Sequence, residues 1–339
     1  MNKTVHFFVD ANSSCGYVSL LNSNLADCKM FRVLKGYPQE WVNRLYEAVL
    51  SRVSPEDGEL HILHDCMTGR VSGVIIPKRQ TGFINLPLYR DEDDSVAGLI
   101  WQEYLTEIKK NLTFAHEHFL AARGIHDEWE KVYINNTDFK ALDDLTQRVI
   151  HSILGDCSLD KTAKTVHRFF GAATIEGSCD YITDITKDVG KRYFIKGRPG
   201  TGKSTFLKKV ADAAQRRGIN CEVYHCAFDP NSWDMVVLRE LGLCLFDSTA
   251  PHEYFPERSS DEIIDVYKEA VVPGTDEQFE NQLSEFQKSY KNTVAQATSF
   301  LQLSQRIYDD LMLRVSLLIP QKQANEQIDR LCDELFVAS

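Results

Sequence analysis

Apolar residues follow two kinds of spacing along this chain, and their order is the same in both halves. Each half opens with short apolar runs bounded by polar or turn-forming residues, a pattern typical of buried strands. In the second half these runs are 192–196, 221–227 and 241–246. Apolar residues then recur at steps of three and four, from near Trp101 in the first half and near Phe279 in the second. This spacing predicts long amphipathic helices that follow each sheet.

The two halves also align residue by residue, which indicates an internal duplication. An offset of 161 positions pairs Val5-His6 with Val166-His167, and Lys35-Gly36 with Lys196-Gly197. In the helical parts the offset becomes 182, so that 125–129 lies over 307–311. The difference, 182 minus 161, is a net insertion of 21 residues in the second half, around 248–281.

A complete phosphate-binding loop follows the first of these apolar runs in the second half. Residues 197–204 fit the pattern G-x4-G-K-[ST], between a predicted strand and a predicted helix. Glycines let several backbone N–H groups converge on a phosphate at the helix amino terminus. Lys203 is expected to reach the β- and γ-phosphates, and Ser204 to offer its hydroxyl to Mg2+. The predicted nucleotide-binding residues are Gly197, Arg198, Pro199, Gly200, Thr201, Gly202, Lys203, Ser204 and Thr205.

Two aspartates are candidates for the remaining chemistry. Asp247 closes the apolar run 243–246, which is the usual place of an acid that binds Mg2+ together with the loop serine. Asp229 follows the run 221–227 and is predicted to be the general base, with metal binding as its alternative role. The predicted catalytic residues are therefore Lys203, Asp229 and Asp247, and the predicted metal ligands are Ser204 and Asp247. Three arginines could stabilise charge on the phosphate, and the sequence does not choose among them: Arg198, Arg239 and Arg258.

The first half lacks the residues that handle phosphate and metal. The alignment of the repeats places Val42 at the position of Lys203. With one further gap, Asn85 stands at the position of Asp247. We therefore expect the first half to be degenerate and the second half to bind the nucleotide.

These patterns predict an α/β fold of two tandem P-loop NTPase-like domains. Each domain is expected to contain a mostly parallel sheet with flanking helices, followed by long amphipathic helices. The predicted domains are a degenerate one at 1–156 and an active one at 157–339, with the insertion around 248–281. His64 and His225 are matched in the two halves, so we expect a structural role for both.

Composition narrows the class of partner. The net charge of −11 argues against a protein that coats nucleic acid. The longest apolar segment, 311–319, is interrupted by Arg314, so no membrane partner is expected. Nine cysteines are scattered without a CxxC pair, which favours reduced thiols in the cytoplasm. The expected ligands are ATP or another nucleoside triphosphate with Mg2+, and an acceptor that is an unknown protein or small molecule.

Segments spread over nearly the whole chain carry a family resemblance. They are 166–170, 194–205, 223–226 and 247–252, with 73–77 and 126–130 in the first half. In these segments the chain is similar to duplicated, tandem P-loop proteins of Gram-positive bacteria, which are described as ATPases or nucleotide kinases. The resemblance implies a P-loop NTPase fold and supplies no physiological substrate. In that family the first half can also carry an intact P-loop, whereas here it does not.

The leading hypothesis is a Mg2+-dependent ATPase with one active site, in the C-terminal half. Two alternatives stay open at this point. One is a nucleotide kinase-like phosphotransferase, in which residues 252–276 would form a lid over the acceptor. The other is a non-catalytic, nucleotide-gated binding module, in which the long helices would form the partner surface.

Overall fold

The fold is α/β, built on one large mixed sheet of eleven strands. The computed structural model describes residues 2–90 and 99–337. The strands are β1 (Thr4–Phe8), β2 (Asp10–Ser13), β3 (Gly16–Ser19), β4 (Met30–Lys35), β5 (Leu60–His64), β6 (Val71–Ile76), β7 (Thr81–Leu86), β8 (Thr165–Phe169), β9 (Gly171–Thr174), β10 (Gly177–Asp180), β11 (Lys191–Lys196), β12 (Cys221–His225), β13 (Trp233–Leu238), β14 (Leu243–Asp247) and β15 (Glu262–Asp265). The order in the large sheet is β15-β11-β14-β13-β12-β8-β1-β5-β6-β7-β4.

Helices cover this sheet, and the two longest have 36 and 39 residues. They are α1 (Leu21–Asn24), α2 (Gln39–Arg52), α3 (Leu99–Ile134), α4 (Phe139–Leu154), α5 (Ile182–Thr186), α6 (Lys203–Gln215), α7 (Val266–Ala270), α8 (Thr275–Gln278), α9 (Glu280–Leu318) and α10 (Gln321–Val337). Within the described residues, none of the helices combines the length and the apolar character needed to cross a bilayer.

The sheet is mixed, so the expectation of mostly parallel sheets does not hold. β13 lies between β12 and β14 and is antiparallel to both. β6 is likewise antiparallel to β5 and β7 in the first half. The cause is the short connection 226–232 between β12 and β13, because a parallel neighbour needs a crossover of a dozen residues or more.

The two halves repeat the same order of strands outward from the centre of the sheet. There β1 and β8 meet in antiparallel pairing at Phe8 and Phe169, which are 161 positions apart. From this point the first half runs β1-β5-β6-β7-β4 and the second runs β8-β12-β13-β14-β11. β15, inside the predicted insertion, adds an edge strand parallel to β11. The insertion therefore contributes a strand to the sheet.

The last helix of each half packs on the sheet of the other half, an arrangement we call the helix exchange. On α4 of the first half, Leu142 and Leu145 are buried in one core with Phe206 of α6. On α10 of the second half, Ile328 is buried in one core with Trp41 of α2. α3 and α9 pack against each other along their lengths. The core of each half is thus completed by a helix from the other half.

A pair of histidines joins the first two parallel strands of each half. His6 Nδ1 lies 2.9 Å from His64 Nε2, and His167 Nδ1 lies 2.8 Å from His225 Nε2. Burial lowers the pKa of all four, that of His64 to about 4. The pairs therefore act as neutral hydrogen-bonded links within the sheet.

Candidate functional site

The glycine-rich segment forms a tight loop between β11 and α6. Gly200 and Gly202 have φ of 77° and 86°, in the left-handed region that favours glycine. The Thr201 hydroxyl donates to the Arg198 carbonyl at 2.8 Å and closes the turn. Because α6 begins at Lys203, its first N–H groups and the positive end of its dipole face this loop. The arrangement suits an anion.

Lys203, Ser204 and Asp247 come together beside this loop. β11 and β14 are parallel neighbours with Ile195 opposite Asp247, which brings the aspartate to the start of the loop. Lys203 Nζ donates to the Arg198 carbonyl at 2.8 Å and lies 3.5 Å from Asp247 Oδ2. Ser204 Oγ accepts from the Trp233 backbone N–H at 2.9 Å. The loop lysine, the loop serine and the strand-end acid thus form one cluster.

Asp234, on β13, is a second acid of this cluster that the sequence reasoning did not assign to it. Burial, and next the negative charge of Asp247, raise its pKa to about 7. Two neighbouring carboxylates and the Ser204 hydroxyl are hard oxygen donors of the kind that Mg2+ prefers. The mutual repulsion of the acids is relieved when a cation lies between them. The residues present therefore fit the expected Mg2+.

Asp229 lies just beyond β12 and is held by an arginine from the first half. Its Oδ2 is 2.5 Å from Nη1 of Arg123, which is on α3. Arg123 Nε also lies 2.5 Å from Asp127 Oδ1, one helical turn further along α3. Ion pairing to Asp229 and Asp127 outweighs burial and raises the pKa of Arg123, so the guanidinium stays charged. The predicted general base is therefore part of an ion pair between the two halves.

α3 and α4 of the first half lie directly against the phosphate-binding loop of the second. A Cβ at Gly200 would be 2.6 Å from the backbone carbonyl oxygen of Glu130 on α3. A Cβ at Gly202 would be 2.5 Å from Cδ2 of Leu142 on α4. Backbone angle favours glycine at both positions, and at Gly200 the contact with the α3 backbone also excludes a side chain. The helix exchange completes the walls of the site.

One face of α3 carries four ionisable residues toward this region: Arg123, His126, Asp127 and Glu130. Their spacing of three and four residues places them on the same side of the helix. Ligand atoms of His126, Asp127 and Glu130 lie within 4.8 Å of one another, close enough to hold a metal ion. Burial lowers the pKa of His126 to about 4 and raises that of Glu130. Asp127 is already engaged with Arg123, which makes this group a weaker metal candidate than the loop cluster.

Two of the three candidate arginines lie at the ends of the strands opposite to the phosphate-binding loop. Arg239 follows the end of β13 and pairs with Glu222 at 2.9 Å. Arg258 donates to the Val189 carbonyl at 2.8 Å, just before β11 begins. The phosphate-binding loop follows the other end of β11. Arg198 is in the loop itself.

Arg198 connects the loop to the insertion. Its Nη2 lies 2.7 Å from Asp276 Oδ2, and its guanidinium stacks over the Tyr267 ring at 4.8 Å. Asp276 also accepts a hydrogen bond from the Tyr133 hydroxyl of α3 at 2.8 Å. The segment 252–276, the candidate lid, therefore contacts the loop through the ion pair between Asp276 and Arg198. The same segment contains the edge strand β15.

His252, after β14, is oriented by an acid of the same half. Its Nδ1 lies 2.7 Å from Asp180 Oδ2, and the Tyr254 hydroxyl donates to Asp180 Oδ1 at 2.7 Å. Although burial acts in the opposite direction, these hydrogen bonds lower the pKa of Asp180. The charge of His252 also lowers the pKa of Asp234, although burial and Asp247 act more strongly in the opposite direction.

The corresponding place in the first half is a cleft that carries a different set of charges, those of Asp65, Arg70 and Asp309. Residues lining it include Tyr37, Thr68, Ser72, Asn85, Gln305, Tyr308, Asp309 and Met312. At the aligned positions of the intact site stand, in the same order, Arg198, Asp229, Asp234, Asp247, Arg123, His126, Asp127 and Glu130. Of these eight positions, only that of Asp127 and Asp309 keeps a charge. Val42, at the position of Lys203, is buried in the apolar core. The charges of the intact site are therefore not a requirement of the shared fold.

Comparison with known proteins adds no family to this description. No protein-family model matches the chain, and neither a curated protein nor a solved structure matches it. The geometry of the loop and of the side chains around it is therefore the basis for assigning a function.

Proposed function

We propose that this protein is a Mg2+-dependent P-loop nucleoside triphosphatase that hydrolyses ATP or GTP at a single site in its C-terminal half. The observation that carries the proposal is the cluster at the loop, where Lys203 lies 3.5 Å from Asp247 at the amino terminus of α6. In this proposal the chain consists of two tandem P-loop NTPase-like domains, a degenerate one at 1–156 and an active one at 157–339. All nine cysteines are free thiols, which suits action in a reducing cytoplasm.

The loop and the start of α6 would bind the phosphates. Backbone N–H groups of 197–202, apart from Pro199, would surround the β-phosphate, and Lys203 would exchange its bond to the Arg198 carbonyl for the β- and γ-oxygens. Ser204 and Asp247 would hold Mg2+, with Asp234 beside them. When bound, the cation neutralises charge on the phosphate oxygens.

Hydrolysis then requires water in line with the leaving nucleotide. The water oxygen forms a bond to the terminal phosphorus while the bond from that phosphorus to the bridging oxygen breaks. The electron pair of the broken bond leaves with the nucleoside diphosphate. Asp229, held by Arg123, orients the water and takes up its proton before passing it to the released phosphate.

Phosphate release from ATP and GTP, measured with Mg2+, tests the proposal. Lys203→Ala should abolish release, because the loop lysine is expected to contact the β- and γ-phosphate oxygens directly from the start of α6. Val42→Ala, at the matching position of the first half, should keep the wild-type rate after correction for folded protein. Undiminished turnover in Lys203→Ala would refute the site. Turnover that appears only when a nucleoside monophosphate is added would replace the hydrolase with a phosphotransferase.

A further inference from the structure

We infer that Arg123, on a helix of the degenerate half, is the arginine that stabilises the transferring phosphate in the intact half. This inference rests on the proposed nucleoside triphosphatase function. It gives the degenerate half a chemical role, since the site would draw its catalytic cation from the other repeat. An arginine is well suited to this position because its planar guanidinium can bind two phosphate oxygens at once.

Position supports Arg123 over the other arginines considered. Arg239 and Arg258 are bound at the opposite edge of the sheet. Arg198 is in the loop, but its guanidinium is turned to Asp276 and stacked on Tyr267 of the insertion. Arg123 instead pairs with Asp229, at the edge of the sheet where the phosphate-binding loop lies.

The contacts of α3 fix where this arginine stands. Two helical turns beyond Arg123, the backbone of Glu130 packs against Gly200 of the loop. Between them, His126 and Asp127 face the same region. A displacement of α3 would therefore move the loop contact and the guanidinium together. The packing of α3 therefore holds the Arg123 guanidinium at a fixed place beside the second half.

In the alignment of the two repeats, Arg123 and its partner Asp229 are both matched by uncharged residues. Arg123 corresponds to Gln305, and its partner Asp229 corresponds to Thr68. Asp127, the other partner, corresponds to Asp309 and is kept in both halves. Gln305 Nε2 still donates to Asp309 Oδ1 at 2.8 Å. The packing of the helix therefore does not need an arginine here, whereas the half with the intact loop has both the cation and its acid.

The guanidinium is neutralised by its ion pairs with Asp229 and Asp127. The side chain of Arg123 is 29 % exposed, so it can reorient without unfolding α3. The growing charge on the equatorial oxygens of the phosphate competes for the same guanidinium. In this arrangement Asp229 holds Arg123 ready and is left to orient the attacking water when Arg123 turns to the phosphate.

The test compares Arg123→Gln, which copies the first half, with Arg123→Lys and with Gln305→Ala as the matched control. Phosphate release gives kcat, a fluorescent ATP analogue gives nucleotide affinity, and binding of ADP with aluminium fluoride reports on the transition state. We expect Arg123→Gln to lower kcat at least about 100-fold and to lose the ADP–fluoroaluminate complex, while nucleotide affinity changes less than about fivefold. Arg123→Lys should recover only part of the loss, because a point charge replaces the fork. Gln305→Ala should stay within about twofold of wild type.

The outcomes separate this inference from the function on which it rests. If Arg123→Gln retains kcat and the fluoroaluminate complex while Lys203→Ala has lost both, Arg123 is not the stabilising arginine. If Arg123→Gln loses kcat only in proportion to a lower melting temperature, its role is structural and the inference fails. If the wild-type protein binds no nucleotide, the proposed function fails, and the role of Arg123 fails with it.

Discussion

The helix exchange makes a quantitative prediction about two buried residues on the exchanged helices, one beside the glycine-rich loop and one in the core of the first half. Leu142 on α4 lies against Gly202 of the phosphate-binding loop, with Cδ2 2.5 Å from the point where a Cβ would stand. Ile328 on α10 occupies the corresponding layer over the degenerate half, in one core with Trp41. Their side chains are 3 % and 4 % exposed. Replacing either by alanine opens a comparable cavity on opposite halves of the sheet.

The cost in stability follows from burial. Truncation of a fully buried leucine or isoleucine to alanine costs about 3 kcal/mol. Unfolding of 339 residues carries an entropy of about 0.7 kcal/mol/K, so each variant should melt about 4 °C lower if the chain unfolds as one unit. The two variants are therefore expected to be similar in stability.

Nucleotide binding should distinguish them. Without Leu142, the nearest packing contact at Gly202 is lost, and we expect affinity for Mg2+-ATP to fall about tenfold, or about 1.4 kcal/mol. Ile328→Ala should leave affinity unchanged. The assay is the rise in melting temperature on adding nucleotide, which depends on the ratio of ligand concentration to Kd. A full rise in Leu142→Ala, or a reduced rise in Ile328→Ala, would contradict the proposed support of the loop by the exchanged helix.

Two further predictions concern the acids of the site and the histidine pairs. Asp247→Asn, which copies Asn85, should lower Mg2+-dependent turnover at least about 100-fold, whereas Asn85→Asp should create no second site. A Mg2+ titration of phosphate release measures both effects. Normal Mg2+ dependence in Asp247→Asn would exclude Asp247 as a ligand. Burial lowers the pKa of His64 to about 4 in the fold, from about 6.5 in the unfolded chain, so the unfolded chain takes up the proton first as the pH falls. Stability from this group is complete above pH 6.5 and is lost toward pH 4; between pH 7 and pH 5 it should amount to about 2 kcal/mol. Urea unfolding at both pH values should show at least this loss in the wild type, since burial lowers the pKa of other histidines too, and a loss smaller by about 2 kcal/mol in His64→Gln. Equal losses would show that His64 is not responsible.

The parts of the site that depend on local sequence could be predicted. The phosphate-binding loop is a contiguous pattern, and Asp247 ends a run of apolar residues on the neighbouring strand. The ends of these parallel strands meet at one edge, so Lys203 and Asp247 come together without further information. Asp229 reaches the same edge for the same reason.

Other parts depend on packing that a single sequence does not reveal. Asp234 is on β13, which is antiparallel to β12 because the connection between the two strands is short. A sheet of parallel strands, as expected from the sequence, would not place Asp234 in the site. The apolar stripe of α3 predicts a helix, but a stripe does not say which surface the helix covers. The contact between Glu130 and Gly200 and the ion pair between Arg123 and Asp229 were therefore not foreseen. One signal was present in the alignment of the repeats, since the first half differs at the positions of both Arg123 and Asp229.

The helix exchange restricts how such a gene can change. Cutting the chain at the repeat boundary would leave each piece with an uncovered core, because Leu142 and Ile328 would each be on the other fragment. The fragments would be obligate partners, and deletion of the degenerate repeat would also remove α3 and α4 from the surviving loop. Single substitutions in the cleft of the first repeat would leave these cores intact, whereas deletion of the whole repeat would expose the core that α4 covers. The first repeat thus supplies helices that the core of the second repeat is built around.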